Sequence, residues 1–450
     1  MDFPVQIFKA YDVRGKVGTE LTPDVSRRIG SAMAKWLPND GPVAVGYDMR
    51  PDSKELAQAF IDGLTSMGRD VWDIGQVASD MIYFAAGHFG LAGGAIITAS
   101  HNPGDDNGIK FCRELAKPIG VDTGLLEIRD LAASDLPKTS QTVGNVTTKD
   151  IMSEWIDHAM SFVSPETWPA YKIVIDAGNG MAGAVIPHLY ERVPLAIDPL
   201  YFELDGTFPN HVANPLVPEN LVDLQQRIAE TGADFGIAFD GDGDRAVLVD
   251  ENGRTLSGTV TTAILTKHLL DKNPGATILY NAVSGRAVRD TVIANGGIAK
   301  RTKVGHSFIK TDMETHQATL AGEHSGHYYF KDNFNADSGL IAALVAIQVL
   351  ADSGKKLSEL ADQYDTYAKI DETNFTVMDK DSVLAGIKSK FADEDVDELD
   401  GVTVNFKDGW FNVRPSNTEP LLRLNAEATT KEELERIVGL VAPIIESSAS

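Results

Sequence analysis

Residues 94–103 read GAIITASHNP, an apolar strand-like run that passes directly into a polar loop containing Ser100 and His101. Two later stretches have the same form, DFGIAFDGDGDR at 234–245 and QATLAGEHSGHYYF at 317–330. Each of the three follows two apolar runs that are separated by a helical pattern, as in βαβ units whose strands are buried on both faces. The sequence therefore predicts three similar α/β units, each with an unusual loop after its third strand, where ligands bind in open α/β sheets.

The last part of the chain has a different pattern. VTVNFKDGWFNVRPSNTEPLLRLNAEA at 402–428 alternates like β-strands, and TKEELERIVGLVAPIIESS at 430–448 has the period of an amphipathic helix. We therefore predict an α/β protein with three similar α/β mixed-sheet domains and a C-terminal α+β domain. The predicted domains are residues 1–150, 151–252, 253–368 and 369–450.

Composition limits the possible functions. The 450 residues are 43% hydrophobic and carry a net charge of −25, from 40 Lys+Arg against 65 Asp+Glu. Because no polybasic block occurs, most of the surface would repel nucleic acid, and we expect no nucleic-acid partner. A small anionic substrate would need a local basic pocket.

We expect a cytoplasmic protein without a membrane segment. Cys112 is the single cysteine, so no intrachain disulfide can form, and the opening MDFPVQIFKAYDVRG lacks a cationic stretch followed by an apolar core. The longest apolar run, from Leu340 to Ala351, is too short to span a bilayer and is predicted to be a buried helix.

Asp240, Asp242 and Asp244 alternate with glycines in FDGDGDR. Three carboxylates on a loop that can curl would converge on one hard cation, and without a cation they would repel one another. An EF-hand would add Glu251, but Arg245 stands where that loop needs glycine and the flanking runs are strand-like. Coordination positions left open by three carboxylates suit Mg²⁺, so we interpret the loop as a Mg²⁺ site rather than a solvated acidic turn.

GNGMAG at 178–183 matches the G-x-G-x-x-G pattern of a dinucleotide site, with Asp198 about twenty residues beyond its first glycine. Asp176 argues against a cofactor, because its carboxylate would lie near the pyrophosphate. A tight βα turn explains the glycines as well, and we favour the turn. The sequence contains no G-x-x-x-x-G-K-[ST] signature of a P-loop NTPase.

NVRPSNTEPLLR at 412–423 is the candidate for the local basic pocket. It combines a guanidinium, two hydroxyls, an amide and several backbone N–H groups, which together can hold a phosphate dianion without a metal. The alternative is an ordinary turn between strands. The residues concerned are Arg414, Ser416, Asn417 and Thr418.

The loop in AGEHSGHYYF at 321–330 offers groups for a polyol. Glu323 could accept hydrogen bonds from vicinal hydroxyls, and Ser325 could donate or accept. His324 and His327 resemble metal ligands, but their spacing has no helical meaning on a glycine-bounded loop, so we do not expect zinc.

Ser100 is a poor candidate for a hydrolase nucleophile. A Ser-His-Asp triad needs an imidazole from elsewhere in the chain, because an adjacent histidine such as His101 normally points away, and no G-x-S-x-G elbow is present. A serine near a metal site and a phosphate-binding loop suggests instead a residue that carries a phosphoryl group.

Taken together, these stretches resemble the α-D-phosphohexomutase superfamily. TASHNP, DGDGDR, GEHSGH and RPSNTEP occur in this order with one in each predicted domain. The resemblance also includes AYDVRG, NGIK, NPLVPENL and KVGHSFIK, so it covers the chain from end to end. It implies an enzyme of four domains, with the first three similar α/β domains arranged around a central cleft.

The resemblance also implies roles for individual residues. It makes Ser100 the phosphoserine, and it makes Glu323 and Ser325 the residues that bind the sugar. It assigns one Mg²⁺ ion per chain to Ser100, Asp240, Asp242 and Asp244. It assigns the non-reacting phosphate to Arg414, Ser416, Asn417 and Thr418. The matched positions around the transferring phosphoryl group or the sugar are Tyr11, Arg14, His101, Lys110, Arg245, His306 and Lys310.

GEHSGH resembles the phosphomannomutase/phosphoglucomutase branch. We therefore expect interconversion of mannose 6-phosphate and mannose 1-phosphate, and of glucose phosphates as a further activity, through a hexose 1,6-bisphosphate intermediate. A phosphoglucomutase or phosphoglucosamine mutase is the alternative enzyme, and a non-catalytic sugar-phosphate sensor is the alternative of another class. Ser284 departs from the lysine of many relatives, and VASDMIYF at 77–84 lacks their usual Thr-Pro.

Charge suggests how such a site would work. Lys110 and Arg245 would offset charge on the equatorial oxygens during phosphoryl transfer. Arg245 is expected to supply the cation that balances three aspartates against one Mg²⁺ ion. Lys110, His101 and His306 all stay open as the general acid or base. The expected partner is a hexose phosphate, bound by a monomer or homodimer.

Overall fold

Four sheets occur one after another along the chain. The computed structural model describes residues 3–134, 142–416 and 421–446. In these ranges three mixed α/β units precede an antiparallel sheet with two long helices. The predicted fold class is therefore confirmed.

The first unit has a six-stranded sheet in the order β1-β5-β4-β2-β3-β6. Strands β2 and β4, which are parallel neighbours, consist almost entirely of buried residues because helices cover both faces. The elements are β1 Val13–Lys16, α1 Pro23–Trp36, β2 Val43–Tyr47, α2 Ser53–Ser66, β3 Val71–Gln76, α3 Ser79–His88, β4 Gly93–Ile97, β5 Asp106–Arg113, α4 Leu126–Ala133 and β6 Val146–Thr148.

The second unit has the strand order β10-β9-β7-β8. Its fully buried strand β9 leads into the aspartate-rich loop, and β10 returns antiparallel to it. The flanking runs of that loop are thus strands, as predicted. The elements are α5 Met152–Met160, β7 Lys172–Asp176, α6 Ala182–Val185, β8 Ala196–Leu200, α7 Val222–Thr231, β9 Phe235–Phe239 and β10 Ala246–Asp250.

The third unit has the strand order β12-β11-β13-β14-β15. Its helix α11 is buried from Gly339 to Leu350, which confirms the buried helix predicted for this apolar run. The elements are α8 Gly258–Lys272, β11 Thr277–Asn281, α9 Arg286–Ala294, β12 Ile298–Thr302, α10 His306–His316, β13 Leu320–Gly322, β14 Tyr328–Phe330, β15 Ala336–Asp337, α11 Gly339–Ser353 and α12 Leu357–Ala361.

One strand arrangement recurs in all three units. The first strand of each repeat lies between the second and third and is parallel to both: β2 with β3 and β4, β7 with β8 and β9, and β11 with β12 and β13. The next strand returns antiparallel to the third. The loops after β4, β9 and β13 therefore occupy equivalent positions at the carboxyl ends of their strands.

The C-terminal domain has an antiparallel sheet in the order β16-β21-β20-β19-β18, with β17 also paired to β21. Two helices pack their apolar faces on this sheet through residues such as Ile387 and Ile437. The elements are β16 Ala368–Lys369, β17 Thr373–Thr376, α13 Lys380–Lys390, β18 Asp395–Asp397, β19 Val402–Asn405, β20 Gly409–Pro415, β21 Leu421–Ala428 and α14 Lys431–Glu446.

The apolar cores divide the chain unevenly. One continuous cluster joins the first three units, with Phe84, Trp155 and Tyr328 among its members, while the C-terminal domain has a cluster of its own. The first three units are thus held together by shared apolar packing, and the C-terminal domain is an independent core. Among the described helices, none combines the length and the apolar character needed to cross a membrane.

Candidate active site

Ser100 lies in a constrained loop after β4. Its φ of +50° is in the left-handed region, which non-glycine residues rarely adopt. Its backbone N–H donates to Thr98 Oγ1 at 2.9 Å. A Cβ on Gly241 would lie 2.5 Å from the Ser100 carbonyl oxygen, so the loop of the second unit approaches this backbone closely enough to require glycine.

Arg50, which follows β2, donates hydrogen bonds to the backbone of the same loop. Its Nη2 donates to the carbonyl oxygens of Ser100 at 2.8 Å and Asn102 at 2.6 Å, and its Nη1 donates to those of Pro103 at 2.7 Å and Asp106 at 2.9 Å. Arg50 is only 3% exposed. One buried guanidinium therefore ties together four backbone carbonyls of this loop.

Three buried aspartates follow β9 and face Ser100. One carboxylate oxygen from each of Asp240, Asp242 and Asp244 lies within 4.8 Å of the others. Ser100 Oγ donates to Asp240 Oδ2 at 2.8 Å, although 140 residues separate the two in sequence. Asp242 Oδ1 and Asp244 Oδ1 are buried and have no hydrogen-bond partner among the described residues. Unpartnered hard oxygen donors fit a divalent cation such as Mg²⁺.

Two cations balance these carboxylates. Lys110 Nζ lies 2.6 Å from Asp242 Oδ2 and 2.5 Å from Asp244 Oδ2, whereas Arg245 Nε lies 3.5 Å from Asp240 Oδ2. Burial, followed by the charges of Asp244 and Asp242, raises the pKa of Asp240. Burial also acts to raise the pKa of Asp244, but Lys110 and further cationic neighbours hold it well below its usual range. The compensation that the sequence attributed to Arg245 is thus shared with Lys110.

His101 does not point away from Ser100 as an adjacent histidine normally would. Its Nδ1 lies 3.1 Å from Ser100 Oγ and accepts a hydrogen bond from Arg245 Nη2 at 2.9 Å. The left-handed backbone at Ser100 and the guanidinium together account for this orientation. Arg245, followed by burial, lowers the pKa of His101 well below its usual value. Because a cation rather than a carboxylate orients the ring, the arrangement is not that of a hydrolase triad.

Glu323 and Ser325, the predicted sugar-binding residues, lie in the loop directly after β13, which we call the sugar loop. Glu323 is 3% exposed, and its Oε1 accepts a 2.5 Å hydrogen bond from the hydroxyl of Tyr329. Ser325 Oγ lies 3.0 Å from His327 Nδ1. His327 Nε2 lies 3.4 Å from Asp244 Oδ1, so this loop meets the aspartate loop directly.

His327 was not among the predicted site residues, although GEHSGH contains it. Arg245 Nε donates to His327 Nε2 at 3.2 Å, which links the second and third units. Among the described residues, His324 and His327 do not occur together in a cluster of side chains that could hold a metal ion.

Arg414, at the end of β20, is 5% exposed and lies apart from Ser100 on the C-terminal domain. Its Nη2 is 3.6 Å from Glu372 Oε2, and Arg423 Nη1 is 2.9 Å from Glu372 Oε1. Glu372 was not predicted, and it supplies the counter-charge of this basic pocket. Ser416 is buried and its N–H donates to Leu421 O at 2.9 Å. Asn417 and Thr418 lie outside the described residues.

Tyr11 contacts the third unit, and Arg14 contacts the loop that carries Ser100. The Tyr11 hydroxyl donates to Val304 O at 3.2 Å, across to the third unit. Arg14 Nε donates to Asp12 Oδ2 at 2.8 Å, and its Nη1 donates to the carbonyl oxygen of Ala99. Arg14 therefore also braces the loop that carries the serine.

His306 and Lys310 lie at the start of α10. The ring of His306 packs edge-on against Tyr11 with centroids 5.2 Å apart, and burial followed by Lys310 lowers the pKa of His306 to about 3. Lys310 Nζ lies 3.0 Å from Asp337 Oδ1 and 3.3 Å from the ring centroid of Tyr83. The structure thus places Lys310 in a buried ion pair behind the loops.

The GNGMAG stretch forms a turn that supports the aspartate loop. The N–H of Met181 donates to Gly241 O at 2.9 Å, and a Cβ on Gly180 would lie 2.6 Å from that oxygen. Asp176 accepts hydrogen bonds from the N–H of Gly178 at 2.8 Å and pairs with His211 at 3.0 Å. This packing accounts for the glycines without a dinucleotide.

Comparison with known proteins gives matches to all four domains of the chain. The profiles described as phosphoglucomutase/phosphomannomutase alpha/beta/alpha domains I, II and III match residues 5–136, 153–253 and 257–367, and the profile of the C-terminal domain matches residues 372–444. The chain is 39% identical over 423 residues to a protein named phosphohexose mutases from Xanthomonas campestris, covering 93% of this chain and 94% of that protein. It is 39% identical over 431 residues to the phosphomannomutase of Salmonella montevideo, covering 94% of each.

A solved structure agrees with these sequence matches. The phosphoglucomutase/phosphomannomutase family protein from Burkholderia thailandensis superposes with a TM-score of 0.91 at 31% identity, covering 99% of this chain and 98% of that one. All four domain profiles occur in order, and the relatives match nearly the full length of the chain. The chain therefore belongs to the phosphoglucomutase/phosphomannomutase family of the α-D-phosphohexomutase superfamily.

Proposed function

We propose that the protein interconverts mannose 6-phosphate and mannose 1-phosphate, with Ser100 as the residue that carries the phosphoryl group. The observation that carries this proposal is the 2.8 Å hydrogen bond from Ser100 Oγ to Asp240 inside a buried cluster of three aspartates. The relative named phosphomannomutase supports mannose, and the relative named phosphohexose mutases supports glucose phosphates as further substrates.

Ser100 and the three aspartates would hold one Mg²⁺ ion. When bound, the ion would withdraw negative charge from the phosphoryl oxygens. The chain's own cations act on the same charge: Lys110 is held by two carboxylates of the cluster, and Arg245 is held between Asp240 and His101. Both are fixed before substrate arrives, so little reorganisation is needed during transfer.

Transfer proceeds in two halves. The free hydroxyl of the hexose phosphate attacks the phosphorus of phosphoserine 100, the bond from phosphorus to Oγ breaks, and the hydroxyl proton is removed by a base. The product is a hexose 1,6-bisphosphate. After this intermediate reorients in the cleft, Oγ of Ser100 attacks its other phosphorus, and the departing sugar oxygen takes up a proton.

The sugar and its second phosphate are held by other loops. Glu323, locked by the Tyr329 hydroxyl, accepts hydrogen bonds from sugar hydroxyls, and Ser325 assists it. The basic pocket around Arg414 and Ser416, with Asn417 and Thr418, binds whichever phosphate is not reacting. Arg414 belongs to the C-terminal domain, which has its own apolar core. The basic pocket must accept both phosphates of the intermediate in turn.

The proton-transfer residue has three candidates. His101 Nδ1 lies 3.1 Å from Ser100 Oγ, and Lys110 lies among the aspartates. Neither ring nitrogen of His306 has a hydrogen-bond partner among the described residues. The pH dependence of kcat in the three alanine variants separates them, because only the true acid or base removes one limb of the profile.

Replacement of Ser100 tests the proposal. Ser100→Ala should lose nearly all mutase turnover and the phosphate ester found by mass spectrometry in the peptide containing residue 100. Ser66→Ala is the matched control, since Ser66 Oγ donates to the Gly63 carbonyl oxygen at 2.8 Å within α2. Full turnover by Ser100→Ala would refute the phosphoserine role. Wild-type protein that binds hexose phosphate without turnover or phosphate ester would indicate the sensor instead.

The metal and the sugar preference have separate tests. Asp242→Asn should weaken the activation of turnover by Mg²⁺ at least tenfold, whereas an unchanged metal titration would make the loop structural. The ratio of kcat/KM for mannose 1-phosphate and glucose 1-phosphate decides the preferred sugar. The cytoplasmic location and the monomeric or homodimeric state stay predictions from the sequence.

A further inference from the structure

A cavity of about 650 Å³ lies between the third unit and the C-terminal domain, away from the serine and aspartate loops. One wall comes from α9, β12 and the turn after β11, and the other from β18, β19 and the start of β20. Arg286 and Arg289 in the lining belong to α9, so the cavity borders this helix. None of the described candidate site residues lines this cavity.

The cavity concentrates positive charge in a chain of net charge −25. Its lining has two more cations than carboxylates: Arg286, Arg289, Arg301 and Lys407 against Asp395 and Asp397. Arg289 and Lys407 are exposed, and within the described part of the chain neither forms an ion pair. A strongly acidic protein repels free anions over most of its surface, so a local excess of unpaired cations marks a place where an anion can bind.

The other two arginines are fixed and shape the walls. Arg301 pairs with Asp397 and its Nη2 donates to Thr403 Oγ1 at 3.0 Å. Arg286 Nη2 donates to the carbonyl oxygens of Phe406 and Gly409, each at 2.8 Å. These contacts join the third unit to the C-terminal domain and preserve the space between the two unpaired cations.

We propose that this interdomain cavity is a second binding site for a small phosphate ester, held between Arg289 of the third unit and Lys407 of the C-terminal domain. Guanidinium and ammonium groups on opposite walls match a phosphate dianion, and the volume suits a sugar phosphate or a nucleotide. The occupant bridges the two domains and so changes the position of Arg414 relative to Glu323.

A second contact path links the cavity to the sugar loop. Ser284 lines the cavity and its Oγ donates to Asn281 Oδ1 at 2.7 Å, while Asn281 Nδ2 donates to Glu323 Oε2 at 3.4 Å. Ser284 is one of the two departures from the family pattern noted in the sequence. An occupant therefore alters the KM for hexose phosphate, a consequence that rests on the proposed function.

Calorimetric titration of the full chain tests the site directly. The probes are inorganic phosphate, ADP and glucose 6-phosphate, and the Arg414→Ala background removes the guanidinium of the basic pocket in the cleft. We expect one probe to bind at a 1:1 ratio, and the added pair R289Q/K407Q to weaken its binding at least tenfold. The probe that binds best distinguishes a nucleotide from a sugar phosphate.

A charge-matched control excludes a general electrostatic effect. The pair K54Q/K355Q removes two exposed lysines outside the cavity and should leave binding unchanged. Absence of binding by all three probes, or equal binding in R289Q/K407Q, overturns the proposal, as does equal weakening in the control pair. In otherwise wild-type protein the bound probe should change KM at least twofold, and this change should vanish in R289Q/K407Q. Titration is independent of turnover, so loss of the proposed function and loss of this site are separately visible.

Discussion

Replacement of Arg50 by lysine tests whether the serine loop is positioned by one guanidinium. Arg50 donates four hydrogen bonds of 2.6–2.9 Å to loop carbonyls. A lysine ammonium keeps the charge, but its three donors radiate from a single atom and do not span carbonyls as far apart along the loop as Ser100 and Asp106. We expect two of the four bonds to be lost.

The structure sets the size of the expected losses in stability and in kcat. A hydrogen bond to a charged group contributes about 1.5–3 kcal/mol, and Arg50 is 3% exposed, so Arg50→Lys should lower the free energy of unfolding by about 3–6 kcal/mol. A nucleophile displaced by about 1 Å can lose about 100-fold in rate. We therefore expect kcat to fall at least tenfold with a smaller change in KM, measured at low temperature where circular dichroism shows the variant folded.

Arg69 provides a matched control in the same unit. It is 8% exposed and also donates to four backbone carbonyls, among them those of Ala34 at 2.9 Å and Gly41 at 3.1 Å, but it contacts no loop of the candidate site. Arg69→Lys should lose comparable stability, measured by urea unfolding, and keep kcat. The reasoning is refuted if Arg50→Lys retains full kcat, or if both variants lose kcat equally.

Two further variants probe neighbouring contacts. Gly241→Ala places a Cβ 2.5 Å from the Ser100 carbonyl oxygen and should lower kcat at least tenfold. Its control, Gly439→Ala, has open space around the new Cβ and should keep kcat while stabilising α14 by about 0.5–1 kcal/mol. Steady-state kinetics and urea unfolding check both variants, and full activity of Gly241→Ala would contradict the close approach. Burial lowers the pKa of His211, but the hydrogen bond and charge of Asp176 outweigh it, so the pKa is raised. The pair therefore stabilises the fold fully below the ordinary pKa of about 6.5, and this stabilisation is lost as pH rises through the folded-state pKa. The difference in unfolding free energy between wild type and His211→Gln should shrink as the pH rises above about 6.5 and through the raised pKa of His211; a constant difference would contradict it.

The loops of the site could be predicted because their signals are local. A buried five-residue strand followed by a polar loop can be recognised in the sequence without knowledge of the fold, and β4 and β9 both have this form. The aspartates alternate with glycines, so their convergence follows from short-range geometry. The rejected EF-hand needed Glu251, which instead accepts a 2.6 Å hydrogen bond from Ser358 Oγ.

Residues that hold the loops were harder to predict because their contacts are distant in sequence. Arg50 lies 50 residues from Ser100, and Tyr329 fixes Glu323 from the returning strand β14. Arg50 nevertheless had a usable signal: it follows β2, which is the parallel neighbour of β4, and carboxyl ends of such strands share one edge. Glu372 had no such signal, since its meaning depends on two arginines on strands that pair only in the folded domain.

The two main apolar cores support different parts of the proposed reaction: the shared core of the first three units supports the phosphoryl-transfer site, and the core of the C-terminal domain supports the phosphate-binding pocket. Ser100, the aspartates and Glu323 all extend from units that share one continuous core, so the distances among them are fixed by dense packing. Arg414 belongs to a domain with its own core, joined to the third unit through polar contacts such as those of Arg286 and Arg301. Polar contacts between domains are exchanged with less loss than a shared apolar core. We infer that the C-terminal domain adjusts while the transfer site stays rigid, because one basic pocket must hold first one phosphate of the bisphosphate and then the other.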